Sequence, residues 1–466
     1  MRLVHRFLTE GDPRIAWGER TLGGAELRLR VRGVVGWLQA EGLEPGDRVA
    51  LHLPHGPAAP VLLLASWAAG LTAVPLDRHH PPARLRALVE RSGARLLVTV
   101  GRRGRALTQR IEVQRLVLDD DQAVPLDVGE LREGQLRAHD APALILWTSG
   151  STGAPKGVTI GREAVDVFVE HWRSRLGVDA DDRVAWTAAL SFDLSLLDIG
   201  VALSAGATLV PVPEARLAIP AQLRDWLEAE RITSIYTVPS LLGQALPADR
   251  PLPPALRVVL SAGEALPPGL AGRLRAALPD DAVLANLFGP TETNVSTAWE
   301  VPSGWSGDAV PIGTPCPYVE TRIVDGELLV RGGTVMDGYW GEPGRAGWTD
   351  GWLHTGDCVE EVDGLLHFRG RLDRMVKVRG YRLEPAAIEA ALRAVDGVSE
   401  AAVTVEDGVT AWIVGSADPR DAAAAAARSL PSWACPDRIE RIEALPRTAR
   451  GKVDYAALSR APGTPR

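Results

Sequence analysis

Short apolar runs rich in β-branched residues recur through the first two-thirds of the chain, at 48–53, 96–100, 143–147, 234–237, 257–260 and 282–287, with stretches of helical periodicity between them. That alternation predicts a parallel sheet wrapped by helices. Over 163–172, Val165, Phe168, Val169 and Trp172 fall on one helical face. From about 310 to 370 the pattern turns to short strands parted by glycine-rich turns, as in GELLVRGGTV and GLLHFRG, and predicts a small β-rich unit. Beyond Asp373, a strand-like MVKVRGYRL, a helix over 385–395, two strand patterns and a glycine-containing loop at 450–454 predict a compact α+β tail. The charged, irregular stretch 101–140 predicts no element. Ligands of open α/β sheets bind beyond the carboxyl ends of the strands, which directs attention to Thr148 onward, Pro239, Ser261 onward and Phe288 onward.

Length and composition narrow the classes. A chain of 466 residues exceeds one ordinary core, and 46% hydrophobic with 24% charged residues is the composition of a soluble globular protein. A formal charge of -8 offers no basic face, so neither nucleic acid nor a membrane surface is expected as a partner. The start, MRLVHRFLTEGD, lacks the apolar core of a signal peptide, and the best apolar run, 61–74, is too short to span a bilayer, so the cytoplasm is the expected compartment. Cys316, Cys358 and Cys435 are far apart and form no CxxC pair, which signals neither a disulfide framework nor a zinc site.

Lysine usage says more. Of 51 basic residues only Lys156, Lys377 and Lys452 are lysines. With the alanine run at 422–427, such a bias toward arginine fits GC-rich coding, which would erase lysines whose role is only surface charge. The three that survive mark places where a compact ammonium could not be replaced by a planar guanidinium.

The string WTSGSTGAPKGV, 147–158, follows an apolar strand and precedes an amphipathic helix. Gly150, Gly153 and Gly157 let backbone N–H groups turn inward, Ser149, Ser151 and Thr152 add hydroxyls, and Lys156 adds charge, which together make a phosphate cradle that begins at Thr148. It is not a Walker A loop, since Gly157 rather than Ser or Thr follows Lys156.

From this string onward the chain resembles the adenylate-forming superfamily of acyl-CoA synthetases, nonribosomal peptide adenylation domains and luciferases. The resemblance covers nearly the whole chain, through WAAGLTAVPLD (67–77), NLFGPTET (286–293), GELLVRGGTVMDGYW, LHTGD, GRLDRMVKVRGYRLE (370–384), LPSWACP and PRTARGKVD in the family's order. It implies an α/β fold, with a large N-terminal domain (1–372) of two doubly wound subdomains plus a β-rich one, and a small mobile α+β C-terminal domain (373–466) hinged at Asp373. By similarity Phe288 stacks on adenine, Glu292 holds Mg2+, and Asp357 and Arg371 contact the ribose of ATP. Gly263, Glu264, Gly289 and Thr291 belong to the same nucleotide site. Lys452 bridges the carboxylate and the α-phosphate, whereas Lys377 and Gly380 flank a thiol channel once the small domain swings. Phe288 replaces the family's tyrosine, LHTGD lacks the preceding Tyr-Arg, and Pro385-Ala386-Ala387 replaces a glycine-containing turn, none of which removes a catalytic group.

The chemistry agrees. A carboxylate attacking the α-phosphate forces two anions together, so cations aimed at phosphorus are needed, and no general base is required because the nucleophile is already ionised. Lys156 is expected to guide the departing pyrophosphate. SFDLSLLDI, 191–199, resembles the segment in which amino-acid-activating members carry the aspartate for the substrate's α-ammonium; Asp193 takes that place, the alternative being a helix cap.

The family's pocket positions carry over to Asp193, Leu194, Leu197, Thr237, Leu260, Ala262, Leu287, Val295, Ser296 and Lys452. The set resembles that of stand-alone prolyl-activating enzymes that load a carrier protein, except for Thr237, where those have a large aromatic, and Ser296, where they have cysteine. Both changes predict an enlarged pocket for proline or another small neutral amino acid. No GGxS-type carrier segment occurs, so the phosphopantetheine thiol is expected from a separate carrier protein. Acyl-CoA ligase or amide synthetase activity, and a non-catalytic nucleotide-binding module, are the alternatives.

Overall fold

The computed structural model describes residues 1–109, 111–118, 137, 139–149, 154–342, 344, 346–378, 381–406, 408–447 and 453–459. Two large sheets stand side by side in the N-terminal part. The first has seven strands in the order Gly338–Tyr339, Lys156–Ile160, Leu144–Thr148, Thr72–Pro75, Arg48–His52, Leu96–Val100, Gln114–Leu118. The second has nine, of which Val283–Phe288, Val258–Ser261, Ser234–Thr237, Arg183–Trp186, Thr208–Pro211 and Arg14–Trp17 form a parallel centre, with antiparallel strands at both edges.

Helices Ala58–Ala68 and Leu194–Ala205 are apolar on nearly every face and lie in the shared core, as helices without a polar face must. Helix Leu194–Ala205 is drawn tightly against helix Arg162–Leu176 at Gly200, where a Cβ would stand 2.5 Å from Val169. That close approach fixes the height at which Asp193, just before the helix, enters the cleft.

The β-rich unit pairs Val319–Val324, Glu327–Gly332, Trp352–Val362, Trp348–Thr349 and Leu365–Arg371. After it the chain forms the hairpin Val376–Val378/Tyr381–Leu383, then a three-stranded sheet (Val398–Val405, Val409–Gly415, Arg438–Arg441) with helices Pro385–Arg393 and Pro419–Ala426. Leu383, Ile388, Leu392, Val403 and Ile413 give this C-terminal unit a core of its own.

Two local readings change. Lys156 opens a strand antiparallel to Leu144–Thr148, so the glycine-rich string joins two strands of a hairpin, and the amphipathic helix begins only at Arg162. The stretch beginning at 101 contains the helix Gly101–Thr108 and the edge strand Gln114–Leu118. The strand is paired on one side only, so its exposed polar positions mask the alternation.

Candidate active site

Two cavities meet at the carboxyl ends of the nine-stranded sheet. The larger, about 510 Å³, has Gly263, Glu264, Leu287 and Phe288 on one side and Asp357, Arg371 and Lys377 on the other. That size suits a nucleotide. Phe288 lies 5.7 Å from Phe368 between ring centres, leaving an aromatic wall. Asp357 is buried and paired with Arg371, whose Nε also donates to Asp373 at 2.6 Å. Burial raises the Asp357 pKa, and Arg371 and Lys377 pull it back. Glu264 is engaged by the amide and hydroxyl of Ser240, both at 3.1 Å, at the start of helix Pro239–Ala245.

The adjoining cavity, about 70 Å³, is lined by Asp193, Leu194, Tyr236, Ala262, Thr291 and Val295, and shares Asp357, Arg371 and Lys377 with the first. Leu197 and Leu260 are fully buried members of the same core as Leu287. The turn carrying Thr291 to Val295 is made compact by Gly289, where a Cβ would sit 1.6 Å from the Asn294 carbonyl, and by Asn294 in the left-handed region at φ 57°. Ser296 is fully buried, its hydroxyl 2.6 Å from that of Thr293.

Asp193 occupies the N-cap position of helix Leu194–Ala205 but makes no capping bond there. Burial raises its pKa, Lys377 lowers it, and Glu292 raises it again. A carboxylate so placed gains a partner when a cationic group enters the small cavity.

Thr237 does not line this cavity. Strand Ser234–Thr237 runs parallel to Val258–Ser261 with Tyr236 beside Leu260 and Thr237 beside Ser261. Side chains alternate along a strand, so Tyr236 shares the face of Leu260 and Thr237 points the other way. The expected enlargement at Thr237 is therefore corrected: an aromatic ring fills that side of the pocket. Tyr236→Ala should raise the ratio of pipecolate to proline activation about tenfold, roughly what one methylene is worth in a fitted pocket. Thr237→Ala should leave that ratio unchanged. Pyrophosphate exchange with the two amino acids measures it, and the opposite pattern would return Thr237 to the pocket.

Glu292 and Lys156 stand together in a third cavity of about 220 Å³ with Tyr339, Asp373, Arg382 and Glu384. The Tyr339 hydroxyl donates to Glu292 at 2.9 Å, and the Lys156 ammonium lies 4.7 Å from the centre of the Tyr339 ring. Thr148 is buried at the end of its strand, and the Ser149 hydroxyl donates to the Arg382 carbonyl at 2.9 Å. Gly150, Ser151, Thr152, Gly153, Gly380 and Lys452 lie outside the described residues.

The C-terminal unit closes the cleft from above. Lys377 reaches between Asp357 and Asp193, surrounded by protein yet open to the cavity; that crowding lowers its pKa against the pull of the two carboxylates. Arg382 grips Glu292, Tyr381 stacks on Trp433 at 4.5 Å and meets the edge of Phe192 at 4.8 Å, and the Trp433 indole donates to Asp77 at 3.1 Å. Pairing with His79 and the neighbouring His80 outweighs burial and brings Asp77 down to about 2, which keeps it an acceptor for that indole. Arg382, Tyr381, Trp433, Tyr339 and Asp77 were not singled out in the sequence. All five lie inside recognised motifs, but the partners of Arg382 and Trp433 are 90 and 356 residues away.

No cluster of three or more acidic, histidine or cysteine side chains able to hold a metal occurs among the described residues. Glu292 is the buried carboxylate closest in function to such a need, and a single carboxylate fits a Mg2+ carried chiefly by nucleotide phosphates. Among the described residues no helix is long and apolar enough to cross a membrane.

Fold and cleft define a nucleotide-binding enzyme in which a small C-terminal unit covers a cavity at the sheet ends. The chain belongs to the AMP-binding enzyme family, whose model matches residues 8–340, with the AMP-binding enzyme C-terminal domain matching 387–452. It is an adenylate-forming, ATP-using enzyme of that family. It is 38% identical to an L-proline–[L-prolyl-carrier protein] ligase of Pseudomonas fluorescens over 93% of both chains. It is 35% identical to the L-proline–[L-prolyl-carrier protein] ligase of Streptomyces coelicolor over 95% of this chain and 92% of the other. Among solved structures, the amide bond synthetase McbA from Marinactinospora thermotolerans superposes with a TM-score of 0.88 at 27% identity, covering 98% of each chain.

Proposed function

We propose that the protein activates L-proline, or a similarly small neutral amino acid, as its aminoacyl-AMP and passes the acyl group to the phosphopantetheine thiol of a separate carrier protein in the cytoplasm. The observation that carries this reading is Asp193 beside Tyr236 in a cavity of about 70 Å³ adjoining a nucleotide-sized one. The named activity of the relatives supports it.

The amino acid's ammonium pairs with Asp193, its ring packs among Leu194, Tyr236 and Val295, and its carboxylate faces the nucleotide cavity. Phe288 offers a stacking face for adenine, and Asp357 and Arg371 border the sugar. Glu292 would hold a Mg2+ carried with ATP, which would supply positive charge to offset the phosphates. Lys452 stabilises the charge that develops as carboxylate oxygen bonds to the α-phosphorus and pyrophosphate leaves past Lys156. Rotation about Asp373 then brings in the arrangement in which Lys377 and the 376–383 hairpin cover the adenylate and a thiol displaces AMP. A further cavity, about 260 Å³, bordered by His55, Arg78, Glu214 and Tyr381 beside this hairpin offers a route for the thiol arm.

Likeness to an amide bond synthetase keeps a free amine as the second reading for the acceptor. Intact-mass spectrometry decides: with proline, ATP and Mg2+, a holo-carrier protein should gain one prolyl group. Formation of a prolyl amide with an added amine, and no carrier loading, would reject the carrier.

A further inference from the structure

Glu292 is only 4% exposed, and both of its oxygens are taken. Arg382 Nη1 donates to them at 2.8 and 3.0 Å, and the Tyr339 hydroxyl donates to one at 2.9 Å. Arg382 is held for this task from two sides: Ser149 fixes its carbonyl, and Glu384 lies 3.5 Å from its second terminal nitrogen. The other acids bordering the cavity are already occupied. Asp373 is bound by Arg371, and Glu327 by the His354 ring and the Gly356 amide. A buried carboxylate needs a cation, and this one can serve one at a time.

We propose that Arg382 and the nucleotide's Mg2+ are mutually exclusive partners of Glu292, which makes Arg382 the positioning residue that ties seating of the C-terminal hairpin to departure of the metal. The proposal rests on the reading of Glu292 as the magnesium carboxylate. While the metal holds Glu292, a guanidinium cannot approach without like-charge repulsion and loss of its acceptor. With Glu292 free of a metal, the bare carboxylate would draw Arg382 in, and the hairpin carrying Lys377 and Tyr381 would come with it. The coupling is reciprocal: a seated arginine lowers metal affinity by the fraction of molecules in which it is seated. One terminal nitrogen of the guanidinium reaches both Glu292 oxygens while the other faces Glu384, so a single side chain spans two acids, which a compact ammonium cannot do.

The test is Mn2+ binding, followed by electron paramagnetic resonance, to enzyme with a non-hydrolysable ATP analogue. Arg382→Gln should bind Mn2+ about tenfold more tightly than wild type because its competitor is gone. Arg382→Lys should fall between them, and transfer from supplied prolyl-AMP to holo-carrier should drop at least about tenfold in Arg382→Gln, since the hairpin loses its anchor. A merely structural role would weaken metal binding or leave it unchanged, and either result in a folded variant overturns the proposal; circular dichroism and thermal melting establish folding. Mn2+ binding needs no amino acid, so failure of the proline assignment with tighter Mn2+ binding leaves the switch standing. Normal proline activation with unaltered Mn2+ affinity in both variants removes the switch alone.

Discussion

Asp193→Ala is expected to lower proline activation by about 10²–10⁴-fold, because a substrate ammonium in a closed site would lose the carboxylate that balances it, at roughly 3–5 kcal/mol. The carboxylate lines the small pocket, where burial raises its pKa and Lys377, the Leu194 amide and the Thr291 hydroxyl pull it back. A neutral ring acid without nitrogen, such as cyclopentanecarboxylate, should be a poor substrate for the wild type. In the variant its disadvantage against proline should largely vanish, since no unpaired charge remains. Pyrophosphate exchange with both acids and both proteins reads this directly. Equal rates for the two acids in the wild type would show that Asp193 does not bind the ammonium and only begins a helix.

If Lys452 bridges the reacting groups as proposed, Lys452→Ala should have the largest effect of all on adenylate formation, with loss of at least about 10³-fold in rate and only a small change in nucleotide affinity, because such contacts form mainly in the transition state. Two anions meeting at phosphorus repel by several kcal/mol at a partly dry site, and an ammonium bridging both is the cheapest remedy. Transfer from supplied prolyl-AMP should survive in the same variant, since Lys377 and Arg382 line the site in the transfer arrangement. If adenylation stays within tenfold of wild type, or both half-reactions fall together, another residue bridges the reacting groups.

Much of the site was legible because its chemistry is local. Lys156, Lys377 and Glu292, which the structure brings to the cavities, each stand in a recognisable motif a dozen or so residues long, whereas Lys452 and residues 150–153 lie outside the described residues. Tyr236 was missed for a different reason. Neighbours on a strand face opposite ways, so a one-residue slip in carrying over a pocket exchanges Tyr236 for Thr237, and only the pairing with Leu260 and Ser261 settles which looks inward. Contacts across the domain interface are the other gap. Nothing near Arg382 foretells Glu292, and nothing near Trp433 foretells Asp77, because their meeting depends on how the C-terminal unit is turned. The helix Gly101–Thr108 and strand Gln114–Leu118 escaped because charge dominates one and edge exposure the other.

The most direct test of the whole account is amino-acid-dependent ATP–pyrophosphate exchange across the standard amino acids plus pipecolate. L-Proline should give the highest rate, with pipecolate and small neutral amino acids below it and Asp, Glu, Lys and Arg at background. Leu194, Tyr236 and Val295, against which the side chain packs in this reading, offer no partner for a second charge. Exchange driven best by a charged amino acid, or by no amino acid at all, would contradict it.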